Sequence, residues 1–295
     1  MAESLLDPGF LRRVEQLDIV SRRIFAGQIK GQRRSKRHGA SVEFADYRDY
    51  SPGDEPRFID WNIYGRLDRL FVKLFVEEED LHVYLLTDLS RSMEFGEEAQ
   101  NKFDYVRRLS GALGTIALTN FDRIGCYACS TAEERVFPLT RGRASMWKLF
   151  RYLEDLPCDG ETALQRMIER FTQRFRQRGV VILLSDFFDK AGYESALNLL
   201  VSQNYEPFAV QVLAPEEVDP SVQGDVKLVD VEDGEYTEIT AGKALIDTYK
   251  RNIRNYTAAL RDFCVRRGVG FLSTTTKVPF DELILRHLRR AGLVA

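Results

Sequence analysis

From residue 81 onward the chain alternates short apolar runs with helical spacings, and that rhythm limits its fold more than any other feature. LHVYLLTD (81–88), RIGCYACS (123–130), VVILLSD (180–186), PFAVQVLA (207–214) and VGFLSTT (269–275) read as strands. Helical spacing fills the intervals at 101–119, 143–156, 162–176, 191–202, 241–267 and 279–291, the last opened by Pro279. Phe103, Val106, Leu109, Leu113 and Ile116 mark one buried helical face, and Trp147, Phe150 and Leu153 another. Strands joined through helices of this length pair in parallel, with helices covering both faces. The expected fold class is therefore α/β, with a doubly wound, mostly parallel sheet over about 81–291. VVILLSD is the most apolar run and belongs at its centre. ERVFPL adds a short strand, and VKLVDVEDGEYTEI a hairpin turning at Asp233-Gly234.

Two of the strands end in carboxylates. Asp88 closes YLLTD, followed by Ser90 and Ser92 at alternate positions, which an extended loop would point the same way. Asp186 closes VVILLSD. Between them Thr162 stands at the start of a helix, just after Gly160, whose lack of a side chain lets the loop approach closely. In a doubly wound sheet, strand ends and helix starts share one edge. Asp88, Ser90, Ser92, Thr162 and Asp186 would then form an all-oxygen set suited to a hard divalent cation, Mg²⁺ with Mn²⁺ as the alternative. The set contains no histidine, thiol or base, so it is built to hold and present a metal ion rather than to perform chemistry. The competing reading is ordinary capping by Asp and Ser at strand–helix turns.

The first 80 residues have a different texture. Leu11, Val14, Leu17, Val20 and Ile24 recur at helical spacing, which predicts one helix or two over 5–27, with Pro8 near the beginning. KGQRRSKRHG (30–39) is basic and aperiodic, and is expected to be mobile or held by a partner. Residues 41–80 form a polar, aromatic, turn-rich block with a turn cluster at SPGDEP and a strand at 70–78. Its arginines and carboxylates, among them Arg48, Asp49, Asp54, Arg57, Asp60 and Arg69, suit either an internal scaffold fixing a small β-rich region or a recognition surface. The expected division is residues 1–80 followed by an α/β domain over 81–295.

Composition excludes several classes. A net charge of -3 gives no global attraction to nucleic acid or anionic lipid. Arg33, Arg34, Lys36, Arg37 and His38 make a local positive arm, but it lacks interleaved aromatics for stacking on bases. Four cysteines without regular spacing do not form a disulfide framework. Cys126 and Cys129 fall within an apolar strand and face opposite ways, as buried thiols rather than a redox or zinc pair. The three histidines are scattered. LTRGRASM (139–146) lacks the lysine of a phosphate loop and is expected beside the metal face, reading acidic partners. No run approaches the length of a transmembrane segment, and the N-terminus has no secretory character, so a cytoplasmic location is expected.

The triad Asp88-x-Ser90-x-Ser92, with Thr162 and Asp186 following in order, resembles the metal-ion-dependent adhesion site of von Willebrand factor A domains. The block HGASVEFADYRDYSPGDEPRFIDWNIYGRLDRLFVKLFVEEED (38–80) resembles the signature of the DUF58 family. Together they imply a von Willebrand factor A-like sheet preceded by a helical arm and a small β-rich region. They also imply a non-enzymatic partner-recognition role alongside a MoxR-type AAA+ ATPase, in assembly or maturation of other complexes. The chain departs from the pattern at Phe187, where many such domains have glycine. Two further functions fit the residues less well. A Mg²⁺-dependent phosphoryl hydrolase would use Asp88 as nucleophile, but position 90 is serine and no lysine is evidently placed to hold a phosphoryl group. Nucleic-acid binding would depend on the basic arm alone.

Overall fold

The computed structural model describes residues 6–21, 43–76, 81–96, 101–221, 224–229 and 236–295. The basic arm, Glu77–Asp80, Ile24 and the Asp233-Gly234 turn lie outside the described residues. The chain divides into two compact units, one spanning 29–80 and the other combining 1–28 with 81–295.

The N-terminal helix is shorter than its spacing suggests. Helix α1 spans Pro8–Val14; Pro8 occupies its first turn, and the Asp7 carboxylate accepts the Phe10 N–H at 3.0 Å. Beyond it the burial period changes from helical to alternate, with Leu17, Ile19 and Ser21 inward. This stretch pairs with the C-terminal segment instead: Val20 N–H donates to the Leu293 carbonyl at 2.9 Å, and Ala295 N–H to that of Asp18 at 2.9 Å. The described N-terminal residues belong to the larger unit, where the expected division grouped 1–80 as one region.

The smaller unit contains β1 (Glu43–Asp49), helix α2 (Trp61–Leu67) and β2 (Phe71–Val76), with β1 and β2 antiparallel. Asp60 organises it. Its carboxylate caps α2 by accepting the Asn62 and Ile63 N–H groups at 2.9 and 3.2 Å, and it accepts the Tyr47 hydroxyl at 3.0 Å. The pairs Arg48–Asp54, Arg57–Glu55 and Arg69–Asp49 join residues within this unit. Their arginines are largely exposed, so each pair contributes roughly 0–1 kcal/mol.

The larger unit is the expected α/β sandwich. In chain order it contains β3 (His82–Asp88), α3 (Lys102–Thr119), β4 (Arg123–Cys129), β5 (Glu134–Arg141), α4 (Met146–Glu154), α5 (Leu164–Arg174) and β6 (Val180–Ser185). Then follow α6 (Glu194–Ser202), β7 (Glu206–Leu213), α7 (Pro215–Val218), the antiparallel pair β8 (Gly224–Val229) and β9 (Tyr236–Ala241), α8 (Lys243–Arg267), β10 (Gly270–Thr275) and α9 (Phe280–Glu282). The last helix continues as a π turn over Leu283–Leu288.

The six-stranded sheet runs β10-β7-β6-β3-β4-β5, parallel throughout except for the antiparallel edge strand β5. This is the expected doubly wound arrangement, with one antiparallel edge strand. Alternation along the central strands feeds two cores. Val83, Leu85, Ile124, Cys126, Ile182 and Leu184 face the layer of α1, α3, α4 and the C-terminal turn. Tyr84, Leu86, Tyr127, Cys129, Val181 and Leu183 face α5, α6 and α8. Cys126 and Cys129 thus lie buried on opposite faces, and burial pushes the Cys129 thiol up to about 11. Trp147 departs from expectation. The inward stripe of α4 is Leu149, Phe150 and Leu153, and Trp147, one position off it, is 72% exposed.

β3 and β6 meet closely because Gly179 precedes β6. A Cβ at that position would lie 2.1 Å from the His82 carbonyl oxygen, a backbone atom that cannot rotate away. Gly179→Ala should therefore destabilise the fold by roughly 1–3 kcal/mol. Chemical denaturation should show a lower midpoint with an unchanged slope.

Candidate metal centre

In a doubly wound sheet the crevice opens where the winding reverses. Here the chain winds outward from β3 to β4 and β5, then returns to β6 on the other side of β3. Asp88 ends β3 and Asp186 directly follows β6, at the same edge of two adjacent strands at the switch point.

The first loop does not stay extended beyond Asp88. A 3₁₀ turn covers Arg91–Glu94, and that tighter path brings the two serines together. Ser90 and Ser92 Oγ atoms lie 2.9 Å apart, and the Ser90 N–H donates to Asp88 Oδ1 at 3.0 Å. A hydroxyl–hydroxyl hydrogen bond has this separation. So does the edge of an octahedron with bonds of about 2.0–2.1 Å, which is about 2.9 Å.

Thr162 reaches the same edge through its neighbours. Asp159 N–H donates to the Leu89 carbonyl at 2.8 Å, Arg91 N–H to the Gly160 carbonyl at 2.9 Å, and the Cys158 thiol to the Ser90 carbonyl at 2.9 Å. On its other side, Asp189 accepts the Leu164 N–H at 2.8 Å, fastening this loop to the one after β6. Helix α5 begins at Leu164, two residues later than expected, and Thr162 precedes its cap at 8% exposure. Gly160 adopts φ +84°, and an added Cβ would lie 2.8 Å from the Ala132 backbone nitrogen, so the close approach expected of it is present.

Three groups that the sequence did not single out complete the centre. Ser185 Oγ donates to Asp88 Oδ2 at 2.7 Å and accepts the Phe187 N–H at 2.9 Å. Lys102, on the first turn of α3 and fully buried, donates to Asp186 Oδ2 at 2.8 Å and to Glu217 Oε1 at 2.6 Å. Glu217, from α7, also accepts the Ala214 N–H at 2.7 Å. Lys102 carried a readable signal. It shares the buried stripe of Val106, Leu109 and Leu113, and a helix N-terminus disfavours a cation.

The electrostatics follow from this burial. Asp88 is 1% and Asp186 0% exposed. Desolvation, then the neighbouring Asp186 charge, push the Asp88 carboxyl up to about 7, although bonds from Ser185 and Ser90 oppose the shift. For Lys102 burial favours the neutral amine, but Asp186 and Glu217 together outweigh it and hold the ammonium charged, raising its pKa. Two carboxylates, Asp186 and Glu217, bind the one ammonium, and with Asp88 the group has a formal excess of two negative charges. The residues therefore fit a divalent cation by donor type, by hydroxyl spacing and by charge. Hydrogen bonds join Asp88, Ser90 and Ser92, Asp186 stands near enough to Asp88 for its charge to act on it, and Thr162 is carried on a loop fastened to both sides.

The loop at 139–146 is not beside this centre. β5 is antiparallel, and Arg141 is paired with Arg123, the first residue of β4. The loop consequently lies at the opposite edge of the sheet from Asp88, which pairs with Cys129.

A family model described as "Protein of unknown function DUF58" matches residues 46–259. Uncharacterized protein Rv1480 of Mycobacterium tuberculosis is 25% identical over 296 residues, covering 98% of this chain and 92% of its own length. Uncharacterized protein YeaD of Bacillus subtilis is 26% identical over 138 residues, 47% of this chain and 32% of its own. Among solved structures, conserved hypothetical protein BatB from Bacteroides thetaiotaomicron superposes with a TM-score of 0.45 at 13% identity, over 72% of this chain and 98% of that one. Proximal thread matrix protein 1 from the mussel byssus, with a zinc-occupied MIDAS motif, gives 0.42 at 13% identity, over 73% and 48%.

Phe187 takes the left-handed conformation at φ +64°, which glycine would adopt without strain, yet its ring is fully buried in the second core. Loss of the ring costs about 3–5 kcal/mol and relief of the backbone returns about 1. Phe187→Gly should therefore lower stability by roughly 2–4 kcal/mol, measured by denaturant or thermal melting.

Proposed function

The chain belongs to the DUF58 family, and from that premise we propose that it is a non-enzymatic, divalent-cation-dependent protein-interaction module. Asp88, Ser90, Ser92, Thr162 and Asp186 would hold the ion, with Mg²⁺ the best fit to an all-oxygen set and Mn²⁺ the alternative. A bound cation there supplies an electrophilic position for a carboxylate on a partner. The observation that carries this reading is that Asp88, hydrogen-bonded to Ser90 with Ser90 and Ser92 hydroxyls touching, and Asp186 stand at the ends of adjacent strands at the switch point. Ser92 is part-exposed at the rim, where a partner's side chain can reach. The partner inferred from the family resemblance is a MoxR-type AAA+ ATPase, or a protein that it remodels.

Lys102 bears on the hydrolase alternative. Its ammonium is enclosed and engaged by Asp186 and Glu217, which balances buried charge rather than offering a donor to a phosphoryl group. Among the described residues no helix is long and apolar enough to cross a membrane.

Two measurements test this reading. Mg²⁺ at a hundredfold excess over its Kd should stabilise the protein by about 2.7 kcal/mol, a rise of roughly 5–10 °C in melting temperature. Asp88→Asn removes a buried charge, so without metal it should melt no lower than wild type, yet it should lose the Mg²⁺-induced rise. Affinity capture from the native cell should recover a partner with Mg²⁺ and lose it with chelator or Asp88→Asn. Equal recovery in all arms, or phosphatase turnover that disappears in Asp88→Asn, would reject the interaction module.

A further inference from the structure

We propose that Lys102 and Glu217 form a fixed charge-balancing pair that sets the affinity of the cation site. The proposal rests on the metal reading above and deepens it.

The pair is placed where no packing requirement calls for charge. Lys102 occupies the first residue of α3, among buried apolar neighbours, and its side chain is 0% exposed. The helix N-terminus is itself positive, so the position repels an ammonium unless carboxylates hold it. Two do, from different elements: Asp186 after β6, and Glu217 on α7 after β7. The Phe95 ring, 5.9 Å from the ammonium, lies alongside.

Asp186 is the shared member. Its Oδ2 accepts from Lys102 at 2.8 Å, its Oδ1 accepts the Phe188 N–H at 3.0 Å, and its carbonyl accepts the Gln211 side-chain amide at 3.2 Å. The carboxylate is held in place by a hydrogen bond at each oxygen, and Lys102 offsets its charge. Glu217 in turn offsets Lys102. The pair is neutral as a unit, which leaves Asp88 and Asp186 to supply the two negative charges that match a divalent ion. Lys102 alone would lower cation affinity, and Glu217 alone would raise it.

This makes a signed prediction that a packing role does not. Lys102→Met leaves the carboxylates of Asp88, Asp186 and Glu217 without the ammonium and should tighten Mg²⁺ and Mn²⁺ binding at least about tenfold. Glu217→Gln leaves the ammonium in excess and should weaken binding at least about tenfold. The double variant Lys102→Met/Glu217→Gln restores the wild-type formal charge and should return to within about threefold of wild type. The experiment is calorimetric titration of the full chain with Mg²⁺ and with Mn²⁺ at one fixed pH, beside Asp88→Asn. Thermal melts in chelator report whether each variant folds. If Lys102→Met does not fold without metal, Glu217→Gln and the double variant decide the matter by the same ordering. Weakening in both single variants, or a Glu217→Gln affinity equal to wild type, overturns the proposal while the metal reading stands. Wild type and Asp88→Asn that both fail to bind either ion overturn the metal reading and the proposal together.

Discussion

The parallel pairing of β3 with β6 is the constraint on which the rest of the molecule depends. It joins the first strand of the outward winding to the first strand of the return. The crevice at the sheet's carboxyl edge therefore receives a loop from each side. Side chains of Val83, Leu85, Ile182 and Leu184 on one face, and of Tyr84, Leu86, Val181 and Leu183 on the other, hold the two strands between helical layers. With the strands fixed, the positions of Asp88 and Asp186 follow from chain geometry. Both carboxylates are carried out of water by the same packing that stabilises the domain.

That burial creates the chemical tension at the centre. Two carboxylates at the ends of adjacent apolar strands repel each other and lose hydration. The fold answers part of this with hydrogen bonds from Ser185, Ser90 and the Phe188 backbone, and part with the Lys102 ammonium. Burial and the neighbouring Asp186 charge still push the Asp88 carboxyl up. A site left short of positive charge, with two hydroxyl oxygens 2.9 Å apart, supports the cation binding proposed above.

Much of this was legible in the sequence because it depends on periodicity. The strands, the long helices and the central place of VVILLSD follow from apolar spacing, and the carboxylates at strand ends follow from the strands. What escaped depends on contacts between distant parts of the chain. Lys102 and Glu217 meet across 115 positions, and neither belongs to a local motif. Ser185 was hidden inside an apolar run. The N-terminal difference has another cause: residues 17–21 satisfy a helical spacing, but the segment that draws them into extended pairing, through an isolated bridge of Ile19 with Val294, lies at 293–295. The loop at 139–146 was misplaced because the direction of β5 was not evident from its composition, and reversing one edge strand moves its end to the far side of the sheet.

The union of 6–21 with the last residues of the chain has a topological consequence. The unit at 29–80 is an insertion, entered from and returned to the same body, rather than a leading appendage. A protease that nicks the connection on either side leaves the insertion attached. After a cut behind it, the insertion is still joined to α1, which is buried against the large body through Phe10 and Val14 and bordered by the pairing of Asp18 and Val20 with 293–295. After a cut ahead of it, the insertion runs directly into β3. Release requires two cleavages, or a cleavage behind the insertion together with loss of the pairing of residues 18–20 with 293–295.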